Sequence, residues 1–182
     1  MFEPYERQRV PADMPAPLAD LQIRLAVPDD VWQLCAIDAE RQGSDPADLF
    51  PLIERSVATV NPERLTLVAE HDHTVVGFGR AGYFRPADDA PANVAPCGWY
   101  LAGLVVAAQH RRRGAGRVLT RARLGWIAKR DDQAFYFANA RNLASIDLHR
   151  EFGFAEVTRD FSFPGASFEG GVGILFGAVL AR

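Results

Sequence analysis

Residues 100–107 form an almost unbroken apolar run, and this run constrains the fold more than any other segment. A strand with one face in water alternates apolar and polar residues, whereas a strand covered on both faces is apolar throughout. We therefore predict a central strand at 100–107 and a second buried strand at 134–138. Such strands need other elements packed in layers on the sheet.

Periodicity and capping signals place further elements around these strands. By residue number, the predicted order is strand 21–25, helices 28–42 and 45–57, a hairpin of strands 65–70 and 74–84, strand 100–107, helix 114–130, strand 134–138, a helix between 142 and 153, and strands 155–163 and 172–180. In helix 114–130, Val118, Ala122 and Trp126 recur every four positions with arginines between them, which indicates an amphipathic helix. This order predicts a mixed α/β or α+β layer fold.

The length of 182 residues fits one domain, which we place at 21–182. Residues 1–20 contain four prolines and are predicted to form an extended N-terminal arm. The start of the chain is charged and has no apolar run, so we expect no secretory signal. The apolar stretch at 170–181 is short and broken by glycines, so we expect no membrane partner.

Cysteine content and net charge limit which cellular compartment and which partners we expect. Cys35 and Cys97 are too few for a disulfide framework and are predicted to be reduced thiols in a cytoplasmic protein. The formal net charge is −3, which argues against a nucleic-acid partner for the whole molecule. Positive charge is nevertheless concentrated in one short stretch that contains Arg111, Arg112, Arg113, Arg117, Arg121 and Arg123.

This arginine-rich stretch lies where the central strand ends and the next helix begins. A helix N-terminus leaves backbone N–H groups unpaired and carries partial positive charge. Gly114 and Gly116 have no side chains, so an anion such as a pyrophosphate can approach that backbone closely. The segment therefore predicts an anion-binding loop, with charge-assisted hydrogen bonds from the arginines.

Other anion-binding motifs fit this segment less well. A dinucleotide-binding fingerprint needs a third glycine, where this chain has Leu119. A nucleotide-hydrolase phosphate loop needs Gly-Lys-Ser or Gly-Lys-Thr, which is absent here. A basic localisation signal would explain the arginines but not the order of strand, glycines and helix.

Two motifs together resemble one family. The pattern Arg111-x-x-Gly114-x-Gly116 after an apolar strand resembles the acetyl-CoA signature of the GNAT superfamily of N-acetyltransferases. The later block that starts at Asn142 and ends in Gly153-Phe154 is similar to a second segment of that family. The resemblance implies the GNAT fold, in which a central, mostly antiparallel twisted sheet of about seven strands is flanked by about four helices.

The resemblance also implies a cosubstrate, acetyl-CoA, and a set of residues that bind it. The backbone of Leu104, Val105 and Val106 would pair with the pantetheine arm, and the Val106 N–H would stabilise the oxyanion. Asn142 would reach the cofactor, serve as an ordinary helix N-cap, or do both. The pyrophosphate would be held by backbone amides of Arg111, Arg112, Arg113, Gly114, Ala115, Gly116 and Arg117.

His149 departs from the family pattern, in which a tyrosine often stands seven residues after this asparagine and protonates the leaving thiolate. An imidazolium with an ordinary pKa of about 6.5 can donate that proton, and the alternative is a histidine that only packs near the sulfur. No general base is readable. The candidate carboxylates for an amine pocket are Asp38, Glu40, Asp45 and Glu54, although each is better explained as a solvated surface side chain. A water chain that carries the proton to solvent is the equal alternative.

The resemblance implies transfer of an acetyl group to a primary amine of a small molecule, or of a protein or peptide, by direct attack in a ternary complex. The alternative is an acyl-CoA-binding module without transfer activity. We expect no metal, because His71 and His73 flank a hairpin turn without a third ligand. The segment 83–100 is the candidate wall of the acceptor pocket. A homodimer is a further expectation, since homodimers are common in the family.

Overall fold

The computed structural model describes residues 15–58, 61–168 and 170–181. Its strands and helices are, in chain order, β1 (Gln22–Leu25), α1 (Val31–Gln42), α2 (Pro46–Ala58), β2 (Arg64–His71), β3 (Thr74–Phe84), β4 (Gly98–Val106), α3 (Ala115–Ile127), β5 (Gln133–Asn139), α4 (Leu143–Arg150), β6 (Ala155–Thr158) and β7 (Gly173–Val179). Short 3₁₀ turns at Pro28–Asp30 and Ala108–His110 precede α1 and follow β4. The predicted order of elements is confirmed.

The strands form one open sheet in the order β1-β2-β3-β4-β5-β7-β6. Every neighbouring pair is antiparallel except β4 and β5, which run parallel. Helices α1 and α2 cover β2, β3 and β4 on one face, and α3 with α4 covers the other face. This seven-stranded, mostly antiparallel sheet with four helices confirms the predicted fold class.

One strand is shorter than its sequence pattern predicts. The alternation at 155–163 favours a single strand, but β6 ends at Thr158 after a register shift against β7. Beyond it the chain leaves β7, and Ser162 bridges to Val94 in the loop that precedes β4. The side chains of Phe161 and Phe163 therefore lie outside the sheet ladder and pack on the aromatic cluster around Tyr100 and Phe137.

The buried face of α3 also differs from the prediction. Val118 and Trp126 are only half-buried, whereas the fully buried positions include Leu119, Arg123 and Ile127. Arg123 is thus inside the core, with a relative exposure of 0%. The sequence pattern placed this arginine on the polar face of the helix. The acceptors of its hydrogen bonds come from elsewhere in the fold and could not be read from that pattern.

The predicted N-terminal arm is partly attached to the domain. Leu18 is buried in the core beside α3, and its N–H donates to the Arg113 carbonyl at 3.0 Å. The rest of the arm, residues 1–14, lies outside the described residues. Cys35 and Cys97 are free thiols, the first buried and the second exposed. Within the described ranges, no helix is long and apolar enough to cross a membrane.

Candidate active site

The sheet is split between its two parallel central strands. β4 and β5 share a single paired position, Tyr100 with Phe135, near the start of each strand. Beyond that point six further residues of β4 continue without a β5 partner in the ladder. Since unpaired strand edges present N–H and C=O groups, this wedge can pair with an extended ligand.

Backbone alternation fixes which edge each amide of β4 faces. The Ala107 N–H donates to the Val76 carbonyl, on the β3 side, at 3.0 Å. Because successive residues of a strand direct their N–H groups to opposite edges, the Val106 N–H points into the wedge. The Val106 carbonyl agrees with this direction, since it accepts from Arg111 Nε at 3.1 Å outside the sheet.

The turn after β4 leads to a helix start with open amides. Gly114 is the N-cap of α3 with φ of 96°, and no side chain caps this helix. The Val118 N–H donates to the Gly114 carbonyl, and the Arg111 N–H donates to Ala108. For the N–H groups of residues 113–117, no acceptor lies within the described part of the chain. These amides meet the geometric requirement for an anion site.

Gly116 places this helix start against the wedge. A Cβ on Gly116 would contact Leu148 of α4 at 3.6 Å and Leu104 and Val106 of β4 at 3.7 and 4.0 Å. The first turn of α3 therefore lies beside both the end of β4 and the helix α4. The predicted binding residues of β4 and of the α3 start are brought together, and α4 reaches them through Leu148.

The arginine side chains in this region are directed partly toward the protein itself. Arg113 Nε donates to the Ala16 carbonyl at 3.0 Å. Arg117 is paired with Glu151, just past the end of α4, with Nε 2.8 Å from the carboxylate. Arg112 is exposed and adopts a φ of 62°. The open backbone amides are thus the better-supported anion donors, and not a ring of arginine side chains.

Asn142 serves as the N-cap of α4. Its Oδ1 accepts the Ser145 N–H at 3.2 Å, which satisfies one of the unpaired amides of this helix start. The capping half of the prediction is confirmed. A role toward the cofactor stays a prediction, and the side-chain NH₂ group is the donor that would serve it.

His149 lies near the C-terminus of α4 and is buried, with 4% of its surface exposed. Its Nδ1 is 2.8 Å from the Ser145 carbonyl, so the proton of the neutral ring sits on Nδ1. Burial lowers the pKa of His149 to about 4. At neutral pH the ring has no imidazolium proton to give, which weighs against the predicted acid role.

The candidate base carboxylates have other partners. Asp38 is buried and accepts from Arg41 at 2.8 and 3.0 Å. The Glu40 carboxylate is 3.4 Å from the Ala108 N–H, and Asp45 accepts from the Ala47 N–H at the start of α2. Glu54 is exposed on α2. None of them is aimed at the wedge by these contacts.

A bulge in β4 was not predicted from the sequence. Phe78 pairs with Val105 and Arg80 with Ala102, so β4 has one extra residue across from Gly79. Gly103 lies in this bulge with φ of 54°. A glycine inside an apolar strand pattern is the signal that would have found it.

The guanidinium of Arg123 sits under this bulge and donates to strand carbonyls. Its Nη1 donates to Arg80 O at 3.1 Å and to Ala102 O at 3.3 Å. Its remaining bonds go to Leu119 O and Thr120 Oγ1 within α3. Arg123 thus holds together the two strands where the bulge interrupts their ladder.

A sheet split between parallel central strands, with a glycine-capped helix beside the split, defines an acetyltransferase-type architecture. Comparison with protein families matches residues 29–154 to the Acetyltransferase (GNAT) family. The chain therefore belongs to the GNAT family of acetyltransferases. Among the described residues no group of three or more histidine, cysteine, aspartate or glutamate side chains is arranged to hold a metal ion.

Solved structures of this family are similar over most of the chain. Ribosomal-protein-alanine N-acetyltransferase from Brucella melitensis is 25% identical, with a TM-score of 0.66 over 88% of this chain and 100% of that one. The Salmonella typhimurium protein yncA, solved with its cofactor acetyl-CoA, is 19% identical, with a TM-score of 0.65 over 89% and 95%. An N-acetyltransferase from Staphylococcus aureus Mu50 is 20% identical, with a TM-score of 0.62 over 90% and 100%. No curated protein matches the sequence.

Proposed function

We propose that this protein transfers an acetyl group from acetyl-CoA to a primary amine. The observation that carries the proposal is the wedge between β4 and β5, with the open amides of residues 113–117 beside it. An extended pantetheine arm needs an unpaired strand edge, and a diphosphate needs converging N–H donors. The two features lie next to each other, in contact through Gly116.

In this proposal the chain binds acetyl-CoA and polarises its thioester carbonyl. Acetyl-CoA supplies the activated acyl group as a thioester. The edge of β4 from Leu104 to Val106 orients the pantetheine arm. The Val106 N–H, directed into the wedge, stabilises negative charge on the thioester oxygen. The backbone of residues 113–117 holds the diphosphate, and Asn142 contributes its NH₂ group from the start of α4.

The positions of the two cysteine thiols favour direct attack by the amine over an acetyl-enzyme intermediate. Cys35 lies on α1 and is buried against the sheet, and burial raises its pKa, which opposes thiolate formation. Cys97 lies just before β4, at the end opposite Val106, where its Sγ is 3.5 Å from the Tyr83 hydroxyl. Neither thiol is placed to carry an acetyl group, so an acyl-enzyme intermediate has no support within the described residues.

A thiol-release assay with a panel of amines tests this function. We expect free CoA to appear only when a suitable amine is present, with acetylated amine formed in equal amount. Double-reciprocal plots against both substrates should intersect, as a ternary complex requires. Parallel lines would instead indicate a covalent intermediate and would contradict direct attack.

The alternative function is an acyl-CoA-binding module without transfer. One observation favours it: His149 occupies the position of the family's usual acid, and its pKa of about 4 leaves it neutral. Under this alternative, acetyl-CoA raises the melting temperature while no amine releases CoA. Under our proposal, the leaving thiolate, with an ordinary pKa of about 8.5, takes its proton from solvent.

A further inference from the structure

The central strand β4 is open to solvent at its middle, on the face that α1 and α2 cover elsewhere. Ala102 and Gly103 are exposed although they lie between buried residues of the same strand. Side chains two apart on a strand share a face, so Ala102 lies on the face of Tyr100. Its cross-strand partner Arg80 lies on that face too. We name this opening, floored by Arg80, Ala102 and Gly103, the bulge cleft.

The guanidinium of Arg80 lies directly over the bulge and is poorly satisfied. A Cβ on Gly103 would be 2.7 Å from Arg80 Nε and 3.1 Å from its Cζ. Arg80 Nε is buried without a hydrogen-bond partner among the described residues. The nearest carboxylate oxygen, from Asp38, is 3.6 Å from Nη2, beyond a normal hydrogen bond.

Charge in the cleft is unbalanced as well. The Asp38 carboxylate accepts both of its short bonds on Oδ1, from Arg41, and its Oδ2 is the oxygen that lies 3.6 Å from Arg80 Nη2. Two guanidinium groups therefore share one buried carboxylate, and 23% of the Arg80 side chain stays exposed. A partly exposed guanidinium with unused donors, next to the strand that would hold the thioester, fits a carboxylate ligand.

An aromatic cluster that includes Tyr100 lies on the same face of the sheet as the bulge cleft. Phe135 pairs with Tyr100 across β4 and β5, and Phe137, two residues further along β5, lies on the same face of the sheet. The ring of Phe137 is 6.5 Å from that of Tyr100, 5.9 Å from Phe161 and 5.8 Å from Phe168. Among the described residues this aromatic cluster contains none from a helix, and Phe137, Phe161 and Phe168 are only half-buried. An apolar or aromatic group of a ligand can pack against them.

We propose that the acceptor is a free amino acid with an apolar or aromatic side chain, whose carboxylate binds Arg80 in the bulge cleft. This inference rests on the proposed acetyl transfer and names the substrate class of the same site. The Arg80 guanidinium holds the carboxylate, and the rings of Phe137, Phe161 and Phe168 receive the side chain. The amine lies toward Leu104 and the wedge.

Titration calorimetry on the CoA-saturated protein tests the recognition step without requiring turnover. The probes are L-phenylalanine, 2-phenylethylamine, which lacks only the carboxylate, and L-phenylalanine amide, in which the carboxylate is neutralised. We expect L-phenylalanine to bind roughly tenfold or more tightly than either analogue, as a charge-assisted hydrogen bond to a carboxylate implies. Equal affinities, or no binding of L-phenylalanine, would overturn the proposal.

Variants separate Arg80 from general effects on the fold. In Arg80→Met the preference for L-phenylalanine should disappear, while affinity for 2-phenylethylamine changes by less than about threefold. Arg121→Met removes an exposed guanidinium from α3, on the other face of the sheet, and serves as the matched control, in which the preference should persist. A preference that survives in Arg80→Met would place the carboxylate elsewhere and contradict the assignment.

The two proposals fail in different ways. Acetyl-CoA binding and thiol release with any amine test the proposed function, whereas the ratio between L-phenylalanine and 2-phenylethylamine tests only the acceptor class. Transfer to amines without regard to a carboxylate would leave acetyl transfer standing and remove the amino-acid acceptor. Selective binding of L-phenylalanine without thiol release would leave recognition of the carboxylate by Arg80 standing and remove acetyl transfer.

Discussion

The imidazole ring of His149 stacks on the phenol ring of Tyr136, with the ring centroids 4.0 Å apart and the planes inclined by 20°. On its other face Tyr136 stacks on Phe176, at 4.7 Å and 10°. The Tyr136 hydroxyl is buried without a hydrogen-bond partner among the described residues, and burial raises its pKa. His149 thus belongs to an aromatic stack in the core between α4 and the sheet, which explains why the ring is kept neutral.

This burial predicts a pH dependence of stability. The pKa of His149 falls from 6.5 to about 4 on folding, so between these values the unfolded chain binds a proton that the native state does not. The free energy of unfolding is therefore unaffected by this group above pH 6.5. It decreases as the pH falls from 6.5 toward 4, by about 3 kcal/mol in total. His149→Phe keeps the stack and should remove this loss, as measured by urea unfolding at pH 6.5 and 4.5.

The exposed His73 provides the control for this measurement. His73→Phe changes a histidine on the hairpin turn whose side chain is fully exposed, so the loss of stability at low pH should remain as in the unchanged protein. If both variants showed the same pH dependence as the parent, the buried, neutral state of His149 would be wrong.

A pair of substitutions at Gly116 tests the binding loop. Methyl contacts at 3.6 Å or more are ordinary, so Gly116→Ala should fold normally and bind acetyl-CoA within about threefold of the parent. Gly116→Trp projects a large side chain toward Leu148, Leu104 and Val106, where the wedge meets the helix start. We expect it to weaken acetyl-CoA binding at least tenfold, as measured by calorimetry. Unchanged affinity in Gly116→Trp, with the fold intact by circular dichroism, would refute the loop as the binding site.

Much of this loop could be predicted because its signals are local. A buried strand, the two glycines and an amphipathic helix follow one another within residues 104–119, and each has its own sequence signature. The Asn142 cap and the order of the elements were readable for the same reason. The packing of α3 could not be predicted in this way, because its buried face depends on hydrogen-bond acceptors that come from strands of the sheet.

Arg123 shows that limit most clearly. Its acceptors Arg80 O and Ala102 O lie 43 and 21 residues away in the sequence and become available only where the bulge interrupts the ladder. The bulge cleft has the same origin, since it depends on the register that pairs Arg80 with Ala102. Strand register is a tertiary property, so neither the buried arginine nor the cleft follows from local pattern.

Substitution by alanine at two glycines of the α3 region should change the free energy of unfolding in opposite directions. Gly114 adopts φ of 96°, where a Cβ is strained although the space around it is open, so Gly114→Ala should cost about 1 kcal/mol. Gly125 is exposed within α3 and has no neighbour within 4 Å of a Cβ, so Gly125→Ala should stabilise the protein by about 0.5–1 kcal/mol. Urea unfolding of both variants measures the two changes, and the same sign for both would contradict this geometry.

Substitutions at Asn142 separate capping from cofactor binding. Asn142→Ala removes the acceptor for the Ser145 N–H and should cost about 1 kcal/mol of stability. Asn142→Asp keeps that acceptor but removes the NH₂ group, so stability should stay within about 0.5 kcal/mol of the parent. If Asn142 also donates to acetyl-CoA, Asn142→Asp should weaken binding severalfold by calorimetry. Full affinity for acetyl-CoA in Asn142→Asp would show that this residue serves only as the N-cap of α4.

The last prediction concerns Arg123, whose guanidinium is completely buried and whose pKa is lowered to about 9 by that burial. No carboxylate contacts it within the described ranges, and its bonds go to carbonyls and one hydroxyl. Arg123→Met fills similar space but leaves the carbonyls of Arg80 and Ala102 without this donor. We expect a loss of about 2 kcal/mol in the free energy of unfolding.

The same variant should also affect the site, because the bulge that Arg123 supports sets the path of β4 toward Val106. We expect the KM for acetyl-CoA to rise in Arg123→Met, whereas Arg121→Met, on the exposed side of α3, should change stability by less than about 0.5 kcal/mol and leave KM unchanged. Arg123→Lys keeps the positive charge but lacks the fork that spans two carbonyls, so it should recover only part of the loss. Parent-like stability and KM in Arg123→Met would show that the bulge holds its shape without the buried guanidinium.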